Sequence, residues 1–179
     1  PVTKYLINLL ENNYNYGQSY SILNGIKNSK YDTIITIDGD LQNNPKDIVK
    51  LVNIYFSDEK FSLVAGIRYK REDNIIKIYT SIIANKIRSF ILQDNCKDTG
   101  CSLKIFSKKA FLTFSFFDGI HRFLPALFKG YGYNVFFVNV DHRPRLSGIS
   151  KYGTLFRLFK GIKDLIKVII IIRKKKKKW

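Results

Sequence analysis

The chain has 179 residues, 45% hydrophobic and 25% charged, which fits one globular domain with a sizeable core and excludes a disordered polymer. Its formal net charge of +17, from 31 basic and 14 acidic residues, points to anionic partners: nucleic acid, a membrane surface or phosphorylated substrates. Six basic residues fall in the run 173–178, and without them the charge is still +11, so the body of the chain is basic too. A generic basic surface in a Lys- and Ile-rich chain is the bland alternative.

The chain begins at Pro1, holds no methionine and shows no signal peptide, so it reads as a fragment lacking its natural N-terminus. Cys96 and Cys101, with His121 and His142, stand at spacings that spell neither a zinc site nor a disulfide framework. Free thiols are expected.

Residues 4–11 are apolar enough for a short strand or helix, and composition does not choose between them. Residues 15–19 read as a turn, and Tyr20, Ile22, Leu23 and Ile26 give helical spacing over 19–28. Thr33-Ile34-Ile35-Thr36-Ile37 is a β-branched run that reads as a buried parallel strand ending at Asp38. After a loop over 41–45, Pro45 suits a first helical turn, and Ile48, Leu51, Val52 and Tyr55 mark one helix face. A strand over 61–67, a helix over 75–92, a strand over 102–106, a helix or loop over 107–117, a helix over 123–129 and a strand over 134–140 follow. This alternation predicts an α/β fold with a mostly parallel sheet. No internal repeat is apparent.

Asp38 and Asp40 leave the end of the predicted strand at positions i and i+2, so both carboxylates face the mouth of the sheet, where open α/β folds bind ligands. Gln42 repeats the spacing. Two carboxylates would repel a diphosphate, whereas a hard cation taking oxygen ligands from both reverses that sign. The structural alternative is an Asp-Gly turn in which Asp40 or Asn44 caps the next helix.

The wider string Thr36-Ile37-Asp38-Gly39-Asp40-Leu41-Gln42-Asn43-Asn44-Pro45 resembles the metal-binding signature of family-2 glycosyltransferases, most closely the polyprenyl-phosphate branch. Asn15-Tyr16-Gly17-Gln18-Ser19 with Leu23-Asn24-Gly25-Ile26, and Gly66-Ile67-Arg68-Tyr69, are similar to further segments of that branch. Lys77, Ser81 and Asn85 on one helix, and Asp98-Thr99-Gly100-Cys101-Ser102-Leu103-Lys104, continue the likeness. So do residues 121–127, and His142-Arg143-Pro144-Arg145-Leu146-Ser147-Gly148-Ile149-Ser150-Lys151-Tyr152-Gly153. The likeness runs in order from about 15 to 164. The family's first strands, with a Pro-x-Tyr-Asn-Glu segment and most nucleobase contacts, have no counterpart here, and Lys77 replaces an Arg, which loses a bidentate phosphate fork.

The resemblance implies a GT-A, Rossmann-like domain over 1–153 with its first strands missing. It implies sugar transfer from a GDP- or UDP-linked donor to a polyprenyl (dolichyl or undecaprenyl) phosphate, with inversion. Asp38, Asp40 and Gln42 are the expected ligands of Mg²⁺ or Mn²⁺, with Gln18 and Asp38 on the donor. Arg68, Lys77, Ser81, Arg145, Ser150 and Lys151 are expected on the acceptor phosphate. Asp40, Asp98 and Arg145 are the expected catalytic residues, Asp98 orienting sugar or acceptor unless it merely caps a helix. His121 reads as a core or capping histidine. A phosphomonoester has its second pKa near ~6 and is already a nucleophile at neutral pH, so such a site needs cations rather than a general base.

From Leu155, apolar residues at 155, 158, 159, 162, 165, 166 and 169 alternate with Arg157, Lys160, Lys163 and Lys167. Residues 154–179 therefore read as an amphipathic basic helix with a polybasic tail, suited to an anionic membrane surface, here the cytoplasmic face. The alternative is a helix packed on the domain with a solvated outer face. The apolar run 168–172 is far shorter than the roughly 20 residues of a spanning helix. The competing readings are a family-2 enzyme with a saccharide acceptor, an inactive fragment, and a nucleic-acid-binding module. No nucleic acid is expected, because no recognition motif accompanies the charge.

Overall fold

The computed structural model describes residues 7–69, 75–143 and 154–176. The helices are α1 (Gln18–Asn28), α2 (Asp47–Ser57), α3 (Ile75–Leu92), α4 (Lys108–Leu112), α5 (Leu124–Gly130) and α6 (Thr154–Lys176), with a 3-10 turn at Ile120–Arg122. The strands are β1 (Thr33–Thr36), β2 (Phe61–Tyr69), β3 (Lys104–Ser107) and β4 (Asn134–Asp141).

They form one sheet in the order β1-β3-β2-β4. β2 and β4 are parallel, while β3 runs antiparallel to both β1 and β2. Three strands therefore share one direction, and the expected mostly parallel sheet is a mixed one with β3 reversed inside it. Pairing register is a non-local property, and the apolar run of β3 reads the same in either direction.

Side-chain alternation splits the core into two layers. On one face Leu63, Ala65 and Phe106 pack with Ile26 of α1, Phe111 of α4, Leu124, Leu127 and Phe128 of α5 and Val168 of α6. On the other face Val64, Ile105, Val138 and Val140 pack against Leu51 of α2. Helices thus cover both faces, which is why the middle of β2, Leu63-Val64-Ala65-Gly66, is continuously buried. Gly66 lets Cys101 and Val140 of the second layer pack onto the β2 backbone: a Cβ there would lie 2.9 Å from both Cys101 Sγ and Val140 Cγ2.

The element reading of 4–11 is corrected for the described part. Residues 7–11 take no regular structure, and Ile7, Leu9 and Leu10 are exposed. The strand placed at 102–106 occupies Lys104–Ser107, and residues 107–117 contain α4.

α6 docks by one face. Val168 and Asp164 are buried, and Ile172 lies over Gly130, where a Cβ would meet its Cγ1 at 2.6 Å. Asp164 Oδ2 pairs with Arg122 Nη2 at 2.6 Å, and Lys160 Nζ with Asp118 Oδ2 at 2.6 Å. On the opposite face Ile162, Ile166 and Ile170, spaced by four, are exposed among Lys163, Lys167 and Lys174. The domain-packing alternative thus describes the inner face, and the outer face keeps an apolar stripe with basic flanks. Among the described residues no helix is long and apolar enough to cross a membrane.

Candidate active site

β1 stops at Thr36 because the chain turns away from its neighbour while side chains take over the pairing. Ser102, just before β3, is the hub. Its carbonyl accepts from Thr36 Oγ1 at 2.7 Å, and its Oγ accepts from the Asp38 N–H at 3.1 Å and from Asn43 Nδ2 at 2.9 Å. Both ends of the acidic turn are thereby tied to one residue. Gln18, the first residue of α1, donates from Nε2 to Asp38 Oδ1 at 3.0 Å and fixes that carboxylate from the other side.

Within the turn, Asp40 Oδ1 accepts from the Gln42 N–H at 3.2 Å, and Leu41 adopts a left-handed φ of 63°. A branched apolar residue rarely takes that conformation, and here it lets Asp40 and Gln42 face the same cleft. The Gln42 carbonyl accepts from Arg143 N at 2.9 Å and its Nε2 donates to the Arg143 carbonyl at 3.4 Å, while Asn43 bridges to His142. Asn44 caps no helix; its Oδ1 accepts from Lys46 N at 3.1 Å, and its Nδ2 reaches Asp141 Oδ2.

Asp38, Asp40, Gln42, Asn43, Ser102 and His142 line an open cleft together with Arg68, Gly100 and Cys101. Arg68 is clamped there by Asp98. Its Nε donates to Oδ2 at 2.7 Å, its Nη2 to Oδ1 at 2.8 Å and its backbone N–H to Oδ2 at 3.2 Å. The Gly100 N–H also donates to Asp98 Oδ1, at 3.1 Å. Asp98 is 5% exposed, and its carboxylate is shared between Arg68 and the Gly100 N–H.

Of the other expected acceptor residues, Lys77 and Ser81 fall on α3, but their side chains lie outside the described residues, as do Arg145, Ser150 and Lys151 entirely. Asn85 of the same helix accepts from Thr99 Oγ1 at 2.9 Å, next to the clamp. Arg88 anchors that loop further, with Nη1 2.5 Å from Asp94 Oδ2 and Nη2 2.8 Å from the Cys96 carbonyl. Cys96 and Cys101 are free and buried, and burial raises both thiols above the usual cysteine range, Cys96 to about 11.

Several residues around the cleft escape sequence reasoning. Ser102 and Asn43 act through contacts to distant parts of the chain, and no spacing advertises them. Lys104, whose Nζ donates to the Cys101 carbonyl, is 3% exposed in the middle of the sheet. Burial pushes its ammonium below the ordinary lysine range, partly offset by Cys101, Cys96, Asp98 and Asp38. His121 Nδ1 lies 2.7 Å from Ser19 Oγ, which also takes the Gly119 N–H. Burial, then Arg122 and Lys104, push that imidazole down to about 4, so it is neutral at physiological pH and holds α1 in place.

The donor set of the turn is all oxygen: two carboxylates and the side-chain amides of Gln42 and Asn43. Among the described residues no three or more His, Cys, Asp or Glu side chains converge, so a cation at the turn would have to draw on amide oxygens, water and substrate besides the two carboxylates. Asn43 Oδ1 is buried and accepts no hydrogen bond from the described residues. Such a wall fits Mg²⁺ or Mn²⁺, which take oxygen ligands and complete their shells with water and substrate phosphate.

This sheet, with acids at the carboxyl end of β1, is that of a GT-A type glycosyltransferase, as solved structures show. Glucosyl-3-phosphoglycerate synthase from Mycobacterium tuberculosis bound to uridine diphosphate superposes with a TM-score of 0.61 at 16% identity, covering 87% of this chain and 55% of that one. The same enzyme with Mn²⁺, UDP-glucose and glycerol 3-phosphate gives 0.59, with the same coverage.

The family Glycosyl transferase family 2 matches residues 2–114, and the chain belongs to it. Among curated relatives, the dodecaprenyl-phosphate galacturonate synthase of Rhizobium johnstonii is 33% identical over 172 residues, 94% of this chain and 50% of that protein. The undecaprenyl-phosphate 4-deoxy-4-formamido-L-arabinose transferase of Shewanella sediminis is 32% identical over 141 residues, 79% of this chain and 42% of that protein. The chain thus spans about half the length of these relatives.

Proposed function

We propose that the chain is the catalytic part of an enzyme that transfers a sugar, with inversion, from a GDP- or UDP-linked donor to a polyprenyl phosphate. The observation that carries this reading is the presence of opposite charges in one cleft: Asp38 and Asp40 share its lining with Arg68, which is fixed by Asp98. The names of the Rhizobium and Shewanella relatives support the polyprenyl-phosphate acceptor.

Asp38, Asp40 and Gln42 would hold Mg²⁺ or Mn²⁺, which neutralises charge on the departing diphosphate when bound. Gln18 keeps Asp38 turned toward the donor. Arg68 binds the acceptor phosphate, joined by Lys77, Ser81, Arg145, Ser150 and Lys151 on the strength of the family resemblance. Fixed cations hold the phosphate oxygen in line with the anomeric carbon, so the bond to the acceptor forms as the bond to the nucleoside diphosphate breaks. The acceptor is already ionised and needs no proton removed. The exposed apolar stripe of α6, with its lysines, rests on the anionic cytoplasmic face of a membrane and brings the cleft to the lipid headgroup.

The test uses a full-length version with Mn²⁺, radiolabelled sugar nucleotides and short-chain polyprenyl phosphate. Label should enter the lipid with wild type and be lost with Asp40→Ala. Equal labelling by both overturns the role of Asp40. Extension of a saccharide with no lipid labelling assigns a different acceptor.

A further inference from the structure

Asn43 has no assigned role, yet it is 6% exposed and lines the same cleft as Asp38, Asp40 and Gln42. Its amide is used asymmetrically. Nδ2 is spent on Ser102 Oγ at 2.9 Å, the oxygen that also takes the Asp38 N–H. Oδ1 is shielded from solvent and has no hydrogen-bond partner among the described residues. A buried acceptor left unsatisfied costs about 1–3 kcal/mol, so a fold that fixes one on a residue lining the acidic cleft gains when a donor arrives.

The identity of that donor follows from the surroundings. An anion would meet Asp38 and Asp40 and be repelled. A divalent cation is attracted, and its bound waters are strong, polarised donors. Mg²⁺ and Mn²⁺ keep several waters because two carboxylates and one amide leave much of an octahedral shell open. Resting on the metal reading of Asp38 and Asp40, we infer that Asn43 is a positioning residue of the cation site, its Oδ1 accepting a hydrogen bond from a cation-bound water. Ser102 sets the amide's orientation and, through the Asp38 N–H, links that orientation to the first carboxylate. The acidic turn and the residue after it then act as one unit, built on a single hydroxyl.

The test measures cation affinity without turnover. Mn²⁺ is titrated into full-length protein, alone and with UDP or GDP present, and free Mn²⁺ is read by electron paramagnetic resonance. Asn43→Leu keeps the volume and removes the acceptor, and is expected to weaken Mn²⁺ by about 10-fold or more, the usual cost of losing an outer-shell partner. Asn43→Asp keeps an acceptor, to which the Ser102 hydroxyl donates, and is expected to bind Mn²⁺ at least as tightly as wild type. Metal-free melting temperatures identify any variant that fails to fold, and Asn43→Ser then replaces the leucine variant, with the same weakening expected.

Wild-type affinity in the leucine or serine variant, with binding abolished by Asp40→Ala, overturns the role of Asn43 and leaves the metal site standing. No Mn²⁺ binding by wild type under any of these conditions overturns the metal reading itself. Unchanged Mn²⁺ affinity with weaker UDP or GDP binding would assign the amide to the nucleotide and overturn the inference.

Discussion

Arg68 on β2 and Asp98, in the loop before β3, meet at two points, Nε to Oδ2 at 2.7 Å and Nη2 to Oδ1 at 2.8 Å. A guanidinium has five N–H donors in one plane, and a two-point contact fixes that plane. Asp98→Asn keeps the size but removes the charge and sets an amide N–H against an arginine N–H. Hydrogen bonds to charged groups contribute about 1.5–3 kcal/mol, so KM for polyprenyl phosphate should rise by about tenfold or more, with a smaller change in kcat. Asp98→Glu should recover part of the loss. Steady-state kinetics with lipid varied at saturating donor make the measurement. A rise confined to the donor KM would move Arg68 to the other substrate.

Two glycines near the cleft should fail in different ways. A Cβ on Gly100 would lie 2.5 Å from Arg68 Nη2, the far end of a flexible side chain. Gly100→Ala should therefore displace the guanidinium and reproduce the kinetic defect of Asp98→Asn, with a stability loss no larger than that variant's. A Cβ on Gly66 would meet Cys101 Sγ and Val140 Cγ2 at 2.9 Å and the Leu103 carbonyl oxygen at 3.1 Å, all inside the sheet core. Gly66→Ala should cost about 1–3 kcal/mol of stability, as overpacked cores do. Denaturant melts of both variants check the contrast.

The parts of this site that lie in one short stretch of chain are legible in the sequence. The β-branched run of β1 and its end at two acids separated by one residue place Asp38 and Asp40 at the sheet mouth without a structure. Pro45 and the apolar spacing after it place α2. The relationships that complete the cleft span long stretches of chain: Asn43 reaches Ser102 across 59 residues, and Arg68 reaches Asp98 across 30. Asp98 stands out within its motif, but nothing in the letters says that it holds an arginine. The direction of β3 is hidden for the same reason, since pairing is decided by partners and not by the strand itself.

α6 separates docking from surface attachment. Asp164 is 3% exposed and its Arg122 partner 32%, so removing the carboxylate strands a partly buried cation. Asp164→Ala should cost about 2 kcal/mol, less than the ~3–5 kcal/mol of a fully buried pair because Arg122 can reach water. Protease should then nick α6 faster. On the outer face, Ile162→Ser, Ile166→Ser and Ile170→Ser together should leave the melting temperature within about 2–4 °C of wild type, because those side chains are already exposed. The same triple variant should lose co-sedimentation with vesicles containing anionic lipid. Retained binding would shift the attachment to another surface.

His121 gives the fold a defined acid sensitivity. Its imidazole is pushed down to about 4, chiefly by burial and then by Arg122 and Lys104, with Asp118 opposing. An unfolded histidine titrates near ~6.5. Between those values the unfolded chain takes up a proton that the folded chain refuses, so stability falls as pH drops from about 6.5 toward 4. The full difference corresponds to about 3 kcal/mol, nearly all of it absent above pH ~7. The loss reaches the cleft, because His121 holds Ser19 and the adjacent Gln18 holds Asp38. Urea melts at pH 7.5, 6.0 and 5.0 at fixed ionic strength should show wild type losing stability faster than His121→Gln, whose amide can still meet Ser19 but does not titrate. Parallel pH slopes for the two proteins would assign the acid sensitivity elsewhere.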